Sequence, residues 1–484
     1  MKKMKKFIAL AFGALLIVSC SDNLDGLNDN TKNPSFVAGE SLFTAAQKSL
    51  VDQVVDLNVN NNNTKLWMQY LQESTYTDES NYDQVTRTIP EQQWSIGYRE
   101  VLRDLKESQK VISETTYSDA EALNTNNKLM IIEVLTVYAY AMQVEIFGDV
   151  PYTEAVNIDI LTPKYDDAET IYRDLINRLN TAINGLDTAN GSFGVADNIY
   201  GGDVALWLKF SNSLKLRMGL LMADVDNALA QSTVEAAVPG VLMSNDDNAN
   251  FTYLSSQPNT NPVHANVVLS GRNDFVAGKT IIDFMNATED PRRPLWFTMV
   301  NGAYVGGEIG SPSTYSAHSH LSEQVVGATA NGVMMDYAEV QFLLAEAAAR
   351  GYNTGDTPAN HHAAGITASM ENWGGSATDI ATFLARPDVD YATVVANSTA
   401  ALPWKEAIGN QKWVALFNRG LESWVSKRML DYPLLAVPTE AVSGFPNRYT
   451  YPIVEQTLNA TNYNDAASAI GGDAAETKLF WDVN

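Results

Sequence analysis

Aromatic side chains set among polar neighbours are the residues of this chain best suited to hold a ligand. Tyr76, Asn81 and Tyr82 stand in a stretch rich in threonine, aspartate and glutamate, and Tyr304 and Tyr315 stand in one rich in glycine and serine. Flat rings pack against the apolar faces of sugar rings, while amide and carboxylate groups bond the hydroxyls. These five residues are therefore candidate contacts for a polar, ring-containing ligand.

Tryptophan and tyrosine are abundant, with 9 Trp and 21 Tyr in 484 residues. Most of them must belong to the core, and we assign the tryptophans on apolar helix stripes to packing: Trp94, Trp207, Trp413 and Trp424. Trp67 and Trp373 stand at the edges of predicted helices and complete the list of candidate ligand contacts. The charged groups of the loops, Arg272 with Asp274 and Asp290 with Arg292 and Arg293, are predicted to form ion pairs that fix the loops.

Signatures of catalysis are absent from the sequence, which has no nucleophile elbow, no Walker loop and no zinc-protease helix. His318 and His320 stand in a loop without the cysteines or clustered acidic residues that would complete a metal site. We therefore predict a protein that is not an enzyme and that needs no metal or cofactor. Spacing along the sequence does not test a glycosidase-type pair of carboxylates, because the chain has 57 acidic residues.

Cys20 is the only cysteine of the chain, and it follows a basic start, an apolar run over residues 7–18 and Ser19. This order is that of a secretory signal peptide, and a cysteine directly after the cut is typical of bacterial lipoproteins. We predict a signal peptide over 1–19, a lipidated Cys20 and a flexible tether over 20–40. Asp22 and Asp25 then favour a lipid-anchored protein of the outer membrane that faces the cell exterior.

The charge of the chain excludes one class of partner. The formal net charge is -25, so the surface repels nucleic acid, and no nucleic-acid partner is expected. The most apolar stretch after the leader, residues 129–147, contains Glu133, Gln143 and Glu145. These polar residues favour a buried helix over a membrane span.

Helical periodicity dominates the pattern of apolar residues, which recur at steps of three and four. Stripes of this kind cover 43–57, 204–225, 335–349 and 414–424. Residues 338–349 and 360–372, with Gly351 as a stop signal between them, have the size of a tetratricopeptide unit. Further helix pairs are predicted at 91–113 with 121–147 and at 167–187 with 203–226. The fold class is therefore mainly α, a tetratricopeptide-like helical solenoid with few short strands.

The segments between these helical blocks have a different amino-acid composition. Residues 236–332 are rich in Asn, Gly, Pro and Ser, and residues 58–90 and 431–455 are similarly loop-like. We predict one domain over 41–484, with a helical scaffold mainly at 41–235 and 333–430 and an irregular loop-rich part mainly at 236–332. Because long ordered loops on a rigid scaffold commonly carry function, the ligand is expected there.

Short motifs in a fixed order along the chain resemble a known family. They lie at 33–34, 147–155, 162–166, 207–217, 290–292, 337–347, 411–428 and 446–455. Together with the lipoprotein leader, they make the chain similar to the SusD/RagB outer-membrane lipoproteins of Gram-negative gut and oral bacteria, in the SusD-like branch. The matched motifs look structural, so the resemblance assigns no ligand-contacting residue.

The resemblance implies a tetratricopeptide-like scaffold with a loop-rich ligand-binding part. It also implies a lid over a SusC-like TonB-dependent barrel in the outer membrane, which imports the captured nutrient, usually an oligosaccharide. Two alternatives stay open: the same transporter role with a peptide or other non-glycan cargo, and a tetratricopeptide-type scaffold that binds only proteins.

Overall fold

The structure is a computed structural model that describes residues 37–483. The predicted signal peptide, Cys20 and nearly all of the predicted tether lie outside the described residues. The fold over residues 39–483 is built mainly from helices, because apolar side chains recur on one face of each helical stretch.

The first part of the scaffold contains eight helices: α1 (Gly39–Val55), α2 (Thr64–Trp67), α3 (Ile89–Ser95), α4 (Arg103–Glu114), α5 (Asp119–Phe147), α6 (Ala168–Gly185), α7 (Val204–Leu221) and α8 (Asn227–Ala237). A π-helical segment, Ile96–Leu102, joins α3 to α4. Consecutive helices pack on each other, α4 on α5, α5 on α6, α6 on α7 and α7 on α8, while α1 packs on α4. Both predicted helix pairs of this region are confirmed.

Helix α5 contains the long apolar stretch of the sequence. Among the described residues, only Glu121–Phe147 is long and apolar enough to cross a membrane, and 78% of its apolar window is buried inside the protein. The buried part of α5 includes the core residues Val134, Tyr138 and Ile146, each 0–1% exposed. The prediction of a buried core helix is confirmed.

The middle of the chain has short elements separated by loops: α9 (Pro262–His264), α10 (Lys279–Ala287) and α11 (Arg293–Trp296). Four strands complete it: β1 (Leu71–Glu73), β2 (Ala249–Phe251), β3 (Phe275–Ala277) and β4 (Gly332–Met335). They form two antiparallel pairs, β1 with β3 and β2 with β4. Two predicted ion pairs are confirmed: Arg292 binds Asp290 at 2.6 Å with both side chains fully buried, and Arg272 binds Asp274 at 2.7 Å. Arg293 does not pair with Asp290, because its Nη1 donates instead to Asn286 Oδ1 at 2.6 Å and to the Met285 carbonyl oxygen at 3.1 Å.

The last part returns to helices: α12 (Tyr337–Ala349), α13 (Pro358–Asn372), α14 (Ala377–Leu384), α15 (Tyr391–Asn397), α16 (Pro403–Ala415), α17 (Gly420–Leu430), α18 (Ile453–Leu458) and α19 (Ala460–Ala469). The predicted pair α12 and α13 is confirmed. Gly351, with φ +90°, ends the first helix. Gly365 lets the two helices approach, because a Cβ atom there would lie 2.8 Å from the ring of Phe342.

Aromatic and charged side chains fill the core where these blocks meet. The four tryptophans assigned to packing are at most 8% exposed, as predicted. Arg419 binds Glu339 at 2.6 Å, both side chains being buried, and Arg217, whose side chain is 13% exposed, lies 3.5 Å from the same carboxylate. Burial of these charges is tolerated because each is paired. The scaffold is thus rigid where it carries the loops.

Candidate functional site

The strand pair β1–β3 positions the candidate loops. Its register places Leu71 opposite Ala277 and Glu73 opposite Phe275. The pairing continues one residue further, because the Ser74 nitrogen donates to the carbonyl oxygen of Asp274 at 2.8 Å. The segment that leads to Tyr76 and the segment that precedes β3 are thereby held side by side.

A cleft of about 130 Å³ opens at this end of the strand pair, beside Tyr76. Tyr76 is 64% exposed, so a face of its ring is free to stack on a ligand. The polar residues that line the cleft are Asn58, Asn60, Glu73, Thr75, Arg87, Asn266, Ser270, Arg272 and Asp274. An exposed ring next to amide, hydroxyl and paired charged groups is a suitable surface for a polyhydroxylated ligand.

Two buried carboxyl groups lie under the cleft. Glu73 Oε2 accepts hydrogen bonds from the Ser80 nitrogen at 3.0 Å and from Ser80 Oγ at 2.9 Å. Burial, followed by the neighbouring carboxyl of Glu79, raises the pKa of Glu73 to about 9. Arg87 forms an ion pair with Glu79. Both carboxyl groups are at most 4% exposed. They therefore stabilise the loop after β1 and are not accessible to a substrate.

Asn81, a predicted ligand contact, is 4% exposed and connects loops instead. Its Nδ2 donates to the carbonyl oxygens of Thr77 and Gly310, both at 2.8 Å, and its Oδ1 accepts from the Glu440 nitrogen at 2.9 Å. Both polar atoms of the Asn81 side chain are therefore hydrogen-bonded to the backbone of three segments. It supports the loop that carries Tyr76 and has no group left for a ligand.

Two further predicted contacts, Tyr82 and Trp67, are also in the core. Tyr82 is 5% exposed and packs edge-on against Phe445, with ring centroids 6.0 Å apart. Trp67 is 0% exposed and packs against Trp424 and Tyr449. Neither ring offers a face to solvent, because long-range packing covers both. The structure therefore corrects these two expectations.

Tyr304 and Tyr315 are half-buried in the loops that follow β3 along the chain. Tyr315 packs on His320 with ring centroids 4.3 Å apart, and the Arg293 guanidinium lies 4.6 Å from the ring centroid of Tyr304. The Ser313 nitrogen donates to the Ser74 carbonyl oxygen at 3.0 Å. Tyr315 and Tyr76 each stand two residues beyond this hydrogen bond, so the structure brings their loops together.

A larger cavity, of about 510 Å³, lies at the other end of β3. Three aromatic side chains line it, Phe284, Trp413 and Tyr432, together with Lys279, whose Nζ lies 3.5 Å from a carboxylate oxygen of Glu308. Phe275 lines the Tyr76 cleft and Lys279 lines the cavity. Three residues of nearly extended chain lie between them, so four rises of about 3.3 Å put the two depressions on the order of 13 Å apart.

Sequence reasoning missed the aromatic lining of this cavity. Trp413 was assigned to the core, and it is 2% exposed, but its covered ring still forms part of the wall. Tyr432 stands in a stretch predicted to be loop-like, and its aromatic type in such a loop is the signal that could have identified it. Phe284 carries no such signal, because an aromatic residue on a helix is usually core.

The described residues contain no group of three or more His, Cys, Asp or Glu side chains placed to hold a metal ion. Trp373, the remaining predicted contact, lines a different cleft that shares no residue with the two depressions described above. The loops that carry Tyr76, Tyr304 and Tyr315, together called the loop face, thus present exposed and half-buried rings among hydrogen-bonding groups. This arrangement is chemically suited to stacking and hydrogen bonding with a ligand.

Comparison with known proteins agrees with this fold. Residues 31–452 match the model of a SusD-like family described as "Starch-binding associating with outer membrane". The chain therefore belongs to the SusD-like family, as its motifs suggested. No curated protein sequence matches it.

Solved structures of the family superpose along almost the whole chain. A chitin-binding protein has 26% sequence identity and a TM-score of 0.78, covering 92% of this chain and 100% of its own. A SusD homologue from Bacteroides uniformis has 25% identity and a TM-score of 0.77, covering 92% of this chain and 99% of its own. Another, from Bacteroides thetaiotaomicron, has 25% identity and a TM-score of 0.78, covering 93% and 100%. The mainly helical fold with few strands is confirmed.

Proposed function

We propose that this protein is a lipid-anchored protein of the outer membrane, facing the cell exterior, that binds an oligosaccharide at its loop face. It passes the bound chain, without cleaving it, to a SusC-like TonB-dependent transporter. The observation that carries the proposal is the exposed Tyr76 ring over a polar cleft, with a cavity lined by Phe284, Trp413 and Tyr432, the aromatic cavity, just past the other end of β3. The family description and the chitin-binding relative support a glycan ligand.

The spacing of the two depressions supports a chain-like ligand. A cleft and a cavity on the order of 13 Å apart along one strand fit successive rings of an oligosaccharide better than one small molecule. Stacking on an aromatic ring contributes about 1 kcal/mol, so a few such contacts give modest affinity. Modest affinity suits a protein that must release its ligand to a transporter.

Exposed apolar side chains beside the cavity support a protein partner on this face. Leu434 is 76% exposed, Val437 84% and Val442 67%, and all three stand on the segment between α17 and α18. Water-exposed apolar groups grouped on one segment indicate a surface that another protein covers. A transporter that closes over the loop face would bury these side chains and enclose the ligand.

Calorimetric titration with maltohexaose and with the hexamer of N-acetylglucosamine tests the proposal. We expect at least one hexasaccharide to bind, and Tyr76→Ala to weaken that binding about five- to tenfold. Tyr76→Phe keeps the ring and should bind nearly as the parent does. Leu161→Ala, a change at an 88% exposed residue that lines none of the described cavities, is the matched control. Unchanged binding by Tyr76→Ala would contradict the proposed site, and hydrolysis of the saccharide would contradict non-catalytic capture.

A further inference from the structure

The Trp373 cleft is a second polar depression, of about 200 Å³, between the strand pair β2–β4 and the ends of α13 and α16. Trp373 follows α13, and its ring packs edge-on against Trp296 with centroids 5.6 Å apart, which fixes its orientation. The cleft lies beyond the end of α1: Val55 lines it, whereas Leu57 and Asn58 line the Tyr76 cleft. It is thus a neighbouring but distinct site.

Side-chain amides make up most of its polar lining. Asn250, Gln324, Asn331, Asn372 and Asn418 all contribute to the wall. Within residues 37–483, Asn250 and Asn331 make no side-chain hydrogen bond. Gln324 Nε2 donates to the Trp373 carbonyl oxygen at 3.3 Å, which leaves its Oε1 open, and Asn418 Oδ1 accepts from Lys65 at 2.7 Å, which leaves its Nδ2 open. The cleft therefore offers both donors and acceptors.

A buried donor adds to this arrangement. Arg419 is 4% exposed and lines the cleft. Its Nη2 donates to the Met334 carbonyl oxygen at 2.9 Å and to Glu339 at 2.6 Å, whereas its Nε and Nη1 make no hydrogen bond within the described chain. Asp336, 3.4 Å from Nη1, balances the charge. Arg419 thus places in the wall a guanidinium whose charge is balanced and two of whose nitrogens make no hydrogen bond within the described chain.

We infer that the Trp373 cleft binds the acetamido group of an N-acetylated sugar. Such a group presents an N–H donor, a carbonyl acceptor and a methyl group, which match the amides and the small apolar residues Val325 and Ala330 of the lining. The indole ring supplies a flat wall for the sugar ring. Because the amides are neutral and Arg419 is paired with Asp336, a neutral sugar fits better than a charged one.

The size of the cleft limits what it holds. A volume of about 200 Å³ is smaller than the roughly 300–1,000 Å³ of pockets for drug-sized ligands, so it accommodates one sugar unit. This inference rests on the proposed function only in that both sites take a saccharide. Its residues are separate from those of the Tyr76 cleft and the aromatic cavity, so variants can test it independently.

The experiment compares two hexasaccharides that differ only at C2, the hexamer of N-acetylglucosamine and cellohexaose, by calorimetry on the full protein. We expect the acetylated hexamer to bind about tenfold more tightly, and the double variant Asn250→Ala, Asn331→Ala to lose this preference, because about two neutral hydrogen bonds disappear. Asn331→Ala alone, at an exposed residue, gives a partial loss if the double variant folds poorly. Gln92→Ala, an exposed amide outside all described cavities, is the matched control.

The alternative results separate the two proposals. Equal affinities for the two hexasaccharides, or a preference that survives in the double variant, would overturn this inference. If both bind equally and Tyr76→Ala weakens both, the proposed function stands without it. If an N-acetylated trialanine amide binds and the double variant abolishes that binding, the cleft is a peptide site and the sugar assignment is wrong. If neither hexasaccharide binds, this inference is overturned.

Discussion

Asn81 Nδ2 donates a hydrogen bond to the Gly310 carbonyl oxygen at 2.8 Å, and this contact joins two loops that are more than two hundred residues apart in sequence. One loop carries Tyr76, and the other leads to Tyr315. The ligand-binding surface proposed here therefore depends on a buried amide that touches no ligand. Loops held in this way lose less conformational entropy when a ligand binds.

Replacement of Asn81 by alanine tests this role. Asn81→Ala removes four side-chain hydrogen bonds and leaves the Gly310 carbonyl oxygen and the Glu440 nitrogen without their partner, whereas the Thr77 carbonyl oxygen keeps its bond from the backbone nitrogen of residue 81. We expect the free energy of unfolding to fall by about 1–3 kcal/mol in urea denaturation, because a buried group without a partner pays its desolvation cost. Gln92→Ala should leave stability unchanged. A fully stable Asn81→Ala would show that the loops do not need this bridge.

Substitution by alanine should affect the stability of the protein very differently at Tyr76 and at Tyr82. Tyr76 is 64% exposed, so Tyr76→Ala should hardly change the melting temperature. Tyr82 is 5% exposed, so Tyr82→Ala should cost about 3–5 kcal/mol of stability, as truncation of a buried aromatic ring does. Thermal unfolding of both variants in the same buffer checks the contrast. Equal melting temperatures would contradict the burial assigned to Tyr82.

Glu73 should make stability depend on pH. Its pKa is raised to about 9, so above the usual carboxyl pKa the folded state keeps a proton that the unfolded state releases. The free energy of unfolding then falls as pH rises from about 4.5 to about 9. Glu73→Gln mimics the protonated form, so it should remove this fall and exceed the parent protein by roughly 1–3 kcal/mol at pH 8.

Urea denaturation at pH 5 and pH 8 measures the effect of Glu73→Gln. The two proteins should be almost equally stable at pH 5 and differ at pH 8. Glu107→Gln changes a carboxylate whose side chain is 51% exposed, and it should leave the pH profile of the parent protein unchanged. A Glu73→Gln variant that is less stable than the parent at both pH values would show that Glu73 is ionised in the folded state.

Val437 tests the proposed partner surface. Val437→Asp places a charge on a side chain that is 84% exposed, so the isolated protein should fold normally. Recovery of a transporter barrel in a mild-detergent pull-down from the native outer membrane should fall severalfold, because a charge buried in an interface without a partner is costly. Val195→Asp, at another fully exposed valine, is the matched control. Undiminished recovery of the barrel with Val437→Asp would show that the transporter contacts a different surface of the protein.

Cys20→Ala tests the predicted lipid anchor. Without the acylated cysteine, the protein should leave the outer-membrane fraction and be found as soluble or wrongly sorted material, because several acyl chains supply the membrane affinity. Cell fractionation followed by immunoblotting measures this. Normal retention of Cys20→Ala in the outer membrane would contradict the lipoprotein prediction.

The helices could be predicted because their signal is local. Residues 338–349 show an apolar stripe and end at a glycine, and both features act within a few turns of chain. The residues of the candidate site were harder to predict from the sequence. Tyr76 and Tyr82 have similar neighbours in sequence, yet Tyr82 adopts φ +72° and packs on Phe445, more than three hundred residues away. Its burial is decided by a long-range contact that no local pattern contains.

The aromatic cavity illustrates the same limit. Phe284, Trp413 and Tyr432 come from three separate segments of the chain and meet only in the folded protein. The sequence indicated loop aromatic residues as the candidate surface, and the structure brings two of their segments, those of Tyr76 and Tyr315, together. The sequence could not indicate which core residues line a cavity with one edge of the side chain. That exposure depends on how distant segments pack around the residue in the folded protein.

A crystal structure of the protein with the best-bound hexasaccharide tests the central claim most directly. We predict a sugar ring stacked on Tyr76 at van der Waals distance, about 3.5–4.0 Å, with hydroxyl groups bonded to the polar residues of the adjacent cleft. A saccharide bound at the loop face with an intact glycosidic chain would establish capture without cleavage at this site. A saccharide bound elsewhere, with the Tyr76 ring free, would contradict the account.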